Sequence, residues 1–119
     1  MTTTVDDAWA AGLFEGEGHT GSKANRVGGP HVYPRMVLQT TDLDVLQRFQ
    51  RIVGVGQIVT RKTTGLGKRA KAEWKPLYRW EASSLVAVAT LFERFRPYLG
   101  ARRTEQFLAA LGGAYRDYR

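Results

Sequence analysis

The sequence contains no cysteine among its 119 residues, which excludes disulfides and metal sites built from thiolates. It also lacks any apolar run of the about 18–20 residues that a membrane-spanning helix needs, so no membrane partner is expected. No basic segment followed by a long apolar stretch opens the chain, so no signal peptide is expected. These absences predict an intracellular protein, placed in the cytoplasm or the nucleoid.

Acidic residues are few, and they are unevenly distributed. The chain has 18 Lys and Arg against 11 Asp and Glu, for a net charge of +7. Residues 1–17 hold Asp6, Asp7, Glu15 and Glu17 and no basic residue, which leaves a charge of +11 on residues 18–119. Such a basic chain favours a polyanionic partner such as nucleic acid, although a highly charged solvated surface would give the same composition.

The apolar periodicity predicts one α+β domain over residues 1–119, with helices on one face of an antiparallel sheet. Its element order is helix, two strands, helix, two strands and two helices. The first helix begins at Thr4-Val5-Asp6-Asp7, where the Thr4 hydroxyl can cap it, and ends near Gly16-Glu17-Gly18. The other predicted segments are a hairpin formed by residues 19–27 and 32–39, a helix capped at Thr41-Asp42 that ends at Gly54, strands over 57–63 and 77–82, and helices that follow Ser84 and Pro97.

The end of the first helix combines small residues with two carboxylates. Small residues recur at near-helical spacing at Ala8, Ala11, Gly12 and Gly16, so another helix can approach closely. Glu15 and Glu17 are at and just beyond the helix C-terminus, where the helix dipole disfavours negative charge. Acids in that position need a compensating partner, and a hard divalent cation is one that suits them.

This segment resembles the motif of the LAGLIDADG homing endonucleases. Gly12 and Leu13 match the first glycine and the leucine after it, Glu15 and Glu17 match the two acids, and Gly18 matches the closing glycine. Two further parts of the chain resemble the family, namely Gly54-Val55-Gly56 and Pro97-Tyr98-Leu99 with the basic residues that follow. The resemblance covers most of the chain and implies the family's αββαββα(α) fold with a saddle-shaped antiparallel sheet.

The resemblance also implies a set of catalytic residues. Glu17 corresponds to the metal-binding acid, with the Gly16 carbonyl nearby. Arg102, or Arg103 in a shifted alignment, falls where the family usually has a catalytic lysine. Thr40, or its neighbour Thr41, falls near a glutamine that orients water. Arginine is a poorer proton shuttle than lysine and threonine is shorter than glutamine, so both departures affect the expected rate more than metal binding.

The implied activity is metal-dependent hydrolysis of both strands of a near-palindromic DNA site by a homodimer, which leaves short 3′ overhangs. Mg²⁺ or Mn²⁺ is the expected cofactor, and Ca²⁺ is the expected non-productive substitute. The expected dimer interface is the first helix, with Ala8, Ala11, Gly12 and Glu15 facing the partner, although the first acid of the motif is often structural in this family. The resemblance leaves open whether an intron, an intein or a phage genome carries the gene.

A twisted antiparallel ribbon can enter the major groove of DNA, so the sheet is the expected recognition surface. Arginine can pair with guanine, asparagine with adenine and glutamate with cytosine. The residues predicted to contact bases are Lys23, Asn25, Tyr33, Arg35, Val37, Arg61, Arg79 and Glu81. Those predicted to contact phosphates are Lys68, Arg69, Lys71 and Lys75.

The departures at Thr40 and Arg102 keep a second function class open. A non-catalytic DNA-binding relative, or an RNA-splicing maturase of the same fold, would retain the basic sheet without needing those two positions. His19 and His31 lack the spacing of a zinc site, so neither supports a different nuclease chemistry. The presence of both acids, Glu15 and Glu17, favours an active endonuclease over these non-catalytic alternatives.

Overall fold

The computed structural model describes residues 3–24, 32–61 and 76–112. In these ranges the elements are helices α1 (Thr4–Glu17), α2 (Leu43–Val53), α3 (Leu85–Phe95) and α4 (Ala101–Leu111), and strands β1 (Gly18–Ala24), β2 (Val32–Thr40), β3 (Gln57–Arg61) and β4 (Leu77–Ala82). A short 3-10 turn over Arg96–Tyr98 joins α3 to α4. The predicted α+β class and element order are confirmed. None of the helices in the described ranges is both long enough and apolar enough to cross a membrane.

Helix α1 begins at Thr4, and its capping residue is Thr3. The backbone N–H of Asp6 donates to Thr3 Oγ1 over 3.0 Å, and the Thr3 N–H donates back to the Asp6 carboxylate over 3.2 Å. This reciprocal capping box satisfies two backbone groups that the first turn leaves without helical partners. The prediction that Thr4 provides the cap is therefore wrong by one position. The predicted end at the glycines is confirmed, since Gly18 is the first residue after the helix.

The four strands of the described residues form an antiparallel sheet in the order β1-β2-β4-β3. Along β2, Pro34, Met36 and Leu38 are buried, whereas the alternate residues Tyr33 and Arg35 are only half-buried. This alternation gives the sheet one face against the helices and one free face. The predicted bounds of β4 are confirmed, and β3 is described as far as Arg61.

The core lies between the helices and the sheet and is rich in aromatic rings. Phe14 of α1 packs against Phe49, Phe95 and Phe107, with ring centroids 5.7–6.5 Å apart. The Trp80 ring of β4 meets Phe49 edge-on at 4.8 Å. Each of these rings is fully buried. Aromatic packing of this kind fixes α1, and therefore the acids at its end, relative to the sheet.

Arg94 of α3 connects three helices. Its guanidinium donates to the Asp7 carboxylate of α1 over 2.6 Å and to the backbone carbonyls of Ile52 and Val53, at the end of α2, over 2.8 and 3.2 Å. A cation at a helix C-terminus satisfies carbonyls that have no helical partner and opposes the helix dipole. Arg94 therefore helps to hold α1 and α2 in place.

The turn between α2 and β3 contains two glycines that both have positive φ, 73° at Gly54 and 86° at Gly56. A Cβ at Gly54 would meet no other atom of the described part of the chain within 4 Å. A Cβ at Gly56 would lie 2.5 Å from Trp80 Nε1 and 2.7 Å from the backbone oxygen of Glu81. The indole N–H donates to the Val55 carbonyl in the same turn, so the turn sits directly against a core residue.

The different surroundings of Gly54 and Gly56 predict that an alanine substitution at each position lowers the free energy of unfolding by a different amount. Gly54→Ala should lower the free energy of unfolding by about 1 kcal/mol, because only the left-handed backbone is strained. Gly56→Ala should lower it by about 2–4 kcal/mol, because overlap with Trp80 and the β4 backbone adds to the same strain. Denaturant titration of both variants measures the difference. Equal costs would contradict the packing described here.

Candidate functional site

The first part of the candidate site is the C-terminal end of α1. Gly16 and Glu17 are exposed there, and Gly18 is buried. A Cβ at Gly18 would overlap the Phe14 ring, so only glycine lets β1 start this close to the helix. The closing glycine of the motif thus allows a sharp helix-to-strand junction that presents Glu17 at the surface.

Glu17 lines a cleft of about 440 Å³ together with the end of β2 and the start of α2. Thr40 and Thr41 both line this cleft, so both alternatives from the sequence lie near the acid. Gln39 and Asp42 line it too and were not among the predicted site residues. The family resemblance implied that Thr40 or Thr41 shares a site with Glu17, but local sequence patterns did not indicate Gln39 and Asp42, because the end of β2 and the end of α1 are distant along the chain.

The polar groups of this cleft suit a hard divalent cation, which prefers carboxylate, carbonyl and water oxygens. The Glu17 carboxylate is exposed, and no other atom of residues 3–24, 32–61 and 76–112 lies within 4 Å of a Cβ placed at Gly16. The described part of the chain holds no group of three or more Asp, Glu, His or Cys residues able to enclose a metal ion. These oxygens could therefore supply only one side of a metal site, and its remaining ligands would have to come from outside the described residues.

The structure separates the two candidate arginines. Arg103 is buried, and its guanidinium donates from Nε to the Glu15 carbonyl over 2.9 Å and from Nη1 to Gln106 Oε1 over 2.9 Å. Arg102 is exposed and makes no hydrogen bond or ion pair with the residues that are described. Arg103 thus brings a compensating positive charge to the end of α1, where the sequence had suggested a hard divalent cation as one suitable partner.

Glu15 is turned toward the start of α4 rather than fully outward. A Cβ at Gly100, the N-cap of α4, would lie 2.8 Å from Glu15 Oε1. Glu15 Oε2 is buried and has no hydrogen-bond partner within the described ranges. Ala11 is also fully buried, in the core of its own chain. The structure therefore differs from the predicted interface at Ala11 and Glu15, and leaves Gly12 exposed and Ala8 half-buried on α1.

The second part of the candidate site is the free face of the sheet. The strand register places six of the predicted base-contacting residues on this one face: Lys23, Tyr33, Arg35, Val37, Arg79 and Glu81. Arg61 is the last residue of β3 and lies opposite Leu77 in the register. Asn25, Lys68, Arg69, Lys71 and Lys75 lie outside the described residues.

Register also brings His19 and Gln57, which were not among the predicted DNA contacts, onto this face. His19 of β1 lies opposite Val37, Val37 lies opposite Glu81, and Glu81 lies opposite Gln57 of β3. These four side chains form one row across the free face, because directly opposed residues in antiparallel strands point to the same side. His19 and Gln57 are exposed. The row could not be recognised from the sequence, because it depends on which strands pair and in which register.

Glu81 is held between two arginines at the centre of this face. Arg35 Nη2 lies 2.7 Å from Glu81 Oε2, and Arg79 Nε lies 3.4 Å from the same oxygen. The hydrogen bond from Arg35, opposed by burial and assisted by the charges of Arg79, Arg35 and Lys23, lowers the pKa of Glu81 below its usual 4.5. The ion pair therefore contributes to stability at pH values above 4.5, and this contribution is lost as the pH falls through the lowered pKa.

No protein-family model matches the chain, and no curated protein sequence matches it. Several solved structures are similar to the chain. The homing endonuclease I-CvuI, in complex with its target in the presence of 2 mM Ca, has a TM-score of 0.70 at 18% identity, over 91% of this chain and 64% of that chain. The archaeal intron-encoded homing endonuclease I-Vdi141I, complexed with DNA, has a TM-score of 0.63 at 17% identity, over 95% and 65%. The LAGLIDADG meganuclease I-CpaMI, bound to uncleaved DNA, has a TM-score of 0.60 at 19% identity, over 87% and 35%.

These similarities confirm the predicted fold. The structural neighbours of the chain are LAGLIDADG homing endonucleases, and its four helices and four-stranded antiparallel sheet, counted over the described ranges, are arranged as theirs are. The chain spans less than two thirds of the length of I-CvuI.

Proposed function

We propose that the chain is a single LAGLIDADG endonuclease domain that cuts duplex DNA, with a divalent metal ion, as a homodimer. The observation that supports this most strongly is the exposed Glu17 carboxylate at the end of α1, in a cleft beside Thr40 and Thr41. The fold is that of proteins solved as DNA complexes, and the free sheet face carries Lys23, Arg35 and Arg79.

Glu17 and the Gly16 carbonyl are the groups that would hold the metal ion. Mg²⁺ or Mn²⁺ is the proposed cofactor, and Ca²⁺ is the proposed non-productive substitute. When bound, the ion supplies a more acidic water molecule and offsets the charge that develops on the phosphate. Thr40 lines the same cleft, and its hydroxyl is the group that would donate and accept hydrogen bonds there. Arg102, exposed and without a partner in the described residues, can contribute positive charge to the phosphate.

The exposed side of α1 supports dimerisation. Gly12 and Gly16 are four residues apart, both are exposed, and a Cβ at either one would meet no other atom of the described residues within 4 Å. A second copy of α1 could approach this strip closely around a two-fold axis. Two copies would place one Glu17 near each DNA strand, so a near-palindromic site would be cut on both strands.

Binding selection separates this function from the RNA-binding alternative. A randomised duplex library is incubated with the protein in Ca²⁺, and bound duplexes are sequenced after competition with structured intron RNA. We expect enrichment of one near-palindromic duplex that the RNA does not displace. Displacement of the duplex by equimolar RNA would instead assign the chain to the maturase class.

A further inference from the structure

The most specific arrangement on the free sheet face is the cluster of Arg35, Glu81 and Arg79. Arg35 is on β2 and Arg79 is on β4, opposite Gln39, so the two arginines originate four residues apart along the direction of β2. Glu81 lies between them, opposite Val37. Their side chains nevertheless converge, because both guanidiniums approach the same oxygen, Glu81 Oε2.

This convergence depends on Glu81. Two guanidinium groups repel each other, and the carboxylate offsets that repulsion. The three side chains are mostly buried against neighbouring strands, with exposed fractions of 24% for Arg35, 18% for Arg79 and 20% for Glu81. Burial removes rotamer freedom and strengthens the ion pairs relative to fully exposed ones. The arginines are therefore held in place before any ligand arrives.

The arginines still have unused hydrogen-bond donors. A guanidinium carries five N–H donors, and Arg35 makes one hydrogen bond to Glu81. Arg79 meets Glu81 through its buried Nε, at 3.4 Å, and its Nη1 and Nη2 donors make no hydrogen bond within the described residues. These terminal nitrogens are therefore the Arg79 donors that a ligand acceptor would satisfy. Guanine O6 and N7 in the major groove accept such donors in a bidentate pairing.

The spacing of the two arginines selects the spacing of their acceptors. Both nitrogens contact one oxygen, so they lie within about 6 Å of each other. Successive base pairs of B-DNA are about 3.4 Å apart along the helix axis. Two arginines at this separation match acceptors on neighbouring or next-neighbouring base pairs.

We infer that Arg35 and Arg79 read two guanines at neighbouring or next-neighbouring base pairs in each half-site, and that Glu81 is the positioning residue that holds them for this task. The inference rests on the proposed binding of duplex DNA. It also replaces the predicted pairing of Glu81 with cytosine, because the carboxylate oxygen nearest the arginines is already in use.

The inference is tested by comparing the duplexes selected in Ca²⁺ by the unaltered protein with those selected by Glu81→Gln, Arg35→Lys and Arg79→Lys. The unaltered protein should enrich a site with the guanine pair repeated symmetrically in both half-sites. Glu81→Gln should lose about tenfold of the preference at both guanine positions while still binding duplex DNA, since the amide cannot neutralise the two charges. Arg35→Lys and Arg79→Lys should each relax one of the two positions, because lysine lacks the bidentate fork.

A matched control and the melting temperature separate positioning from stability. Glu105→Gln makes the same chemical change on the exposed side of α4 and should leave the guanine preference unchanged. If Glu81→Gln fails to fold, as judged by its melting curve, the two lysine variants still decide the matter. A sharp near-palindrome without the guanine pair, or an unchanged preference in all three variants, would overturn this inference alone. No enriched duplex with the unaltered protein would overturn the proposed function and the inference with it.

Discussion

Glu17→Gln should reduce the rate of DNA cleavage by about a thousandfold or more, equivalent to about 4 kcal/mol, while leaving DNA affinity nearly unchanged. The amide has the size of the carboxylate but carries no charge, so it is a much weaker ligand for a hard divalent cation. Glu17 is exposed at the end of α1, so the exchange removes no packing. Single-turnover cleavage in Mg²⁺ measures the rate, and binding in Ca²⁺ measures the affinity.

The control for this variant is again Glu105→Gln, whose site on α4 is likewise exposed. It should cleave at the rate of the unaltered protein. If Glu17→Gln cleaves within about tenfold of that rate, the substitution has removed less than about 1.4 kcal/mol of transition-state stabilisation. That result would contradict the assignment of Glu17 as the metal-binding acid.

Gly12→Gln should convert the protein to a monomer over the concentration range in which the unaltered chain is a dimer. The new side chain would lie on the exposed side of α1, where a Cβ would meet no other atom of the described residues within 4 Å. It should therefore leave the fold intact and even favour the helix by about 0.5–1 kcal/mol, while separating two α1 helices that need close approach. We expect the dimer dissociation constant to rise about a hundredfold, or about 2.7 kcal/mol, in sedimentation velocity experiments.

Double-strand cleavage should fall together with dimerisation, because a monomer brings only one Glu17 to the DNA. Ala109→Gln adds a similar side chain at an exposed position of α4 and should change the dissociation constant by no more than about twofold. Gly12→Gln protein that remains a dimer at the same concentrations would place the interface elsewhere on the molecule.

Much of the fold could be predicted from the sequence because its local signals agree with one another. The glycines after Phe14 and Val53 end α1 and α2, and alternation across β4 fixes that strand to the residue. The α1 cap was missed by one position because Thr3 and Thr4 are both hydroxyl residues next to the same acids. Sequence alone does not decide between them.

The candidate site could be predicted less completely, because its geometry depends on contacts between distant segments. Which of two adjacent arginines turns toward α1 depends on the rotation of α4, and the structure buries Arg103. Ala11 and Gly12 are both small, yet only Gly12 is exposed. The link between Arg35 and Glu81 joins residues 46 positions apart, and it follows only from the pairing of β2 with β4.

The most direct test of the proposed endonuclease is cleavage of a randomised duplex library in Mg²⁺, beside an EDTA control, with the cut ends sequenced. We expect cuts on both strands within one near-palindromic site, with short 3′ overhangs, and no cuts in EDTA. Cutting that persists in EDTA would contradict the metal-dependent mechanism. A protein that retains duplex DNA in Mg²⁺ but leaves every duplex intact would contradict the enzyme and assign the fold to DNA binding alone.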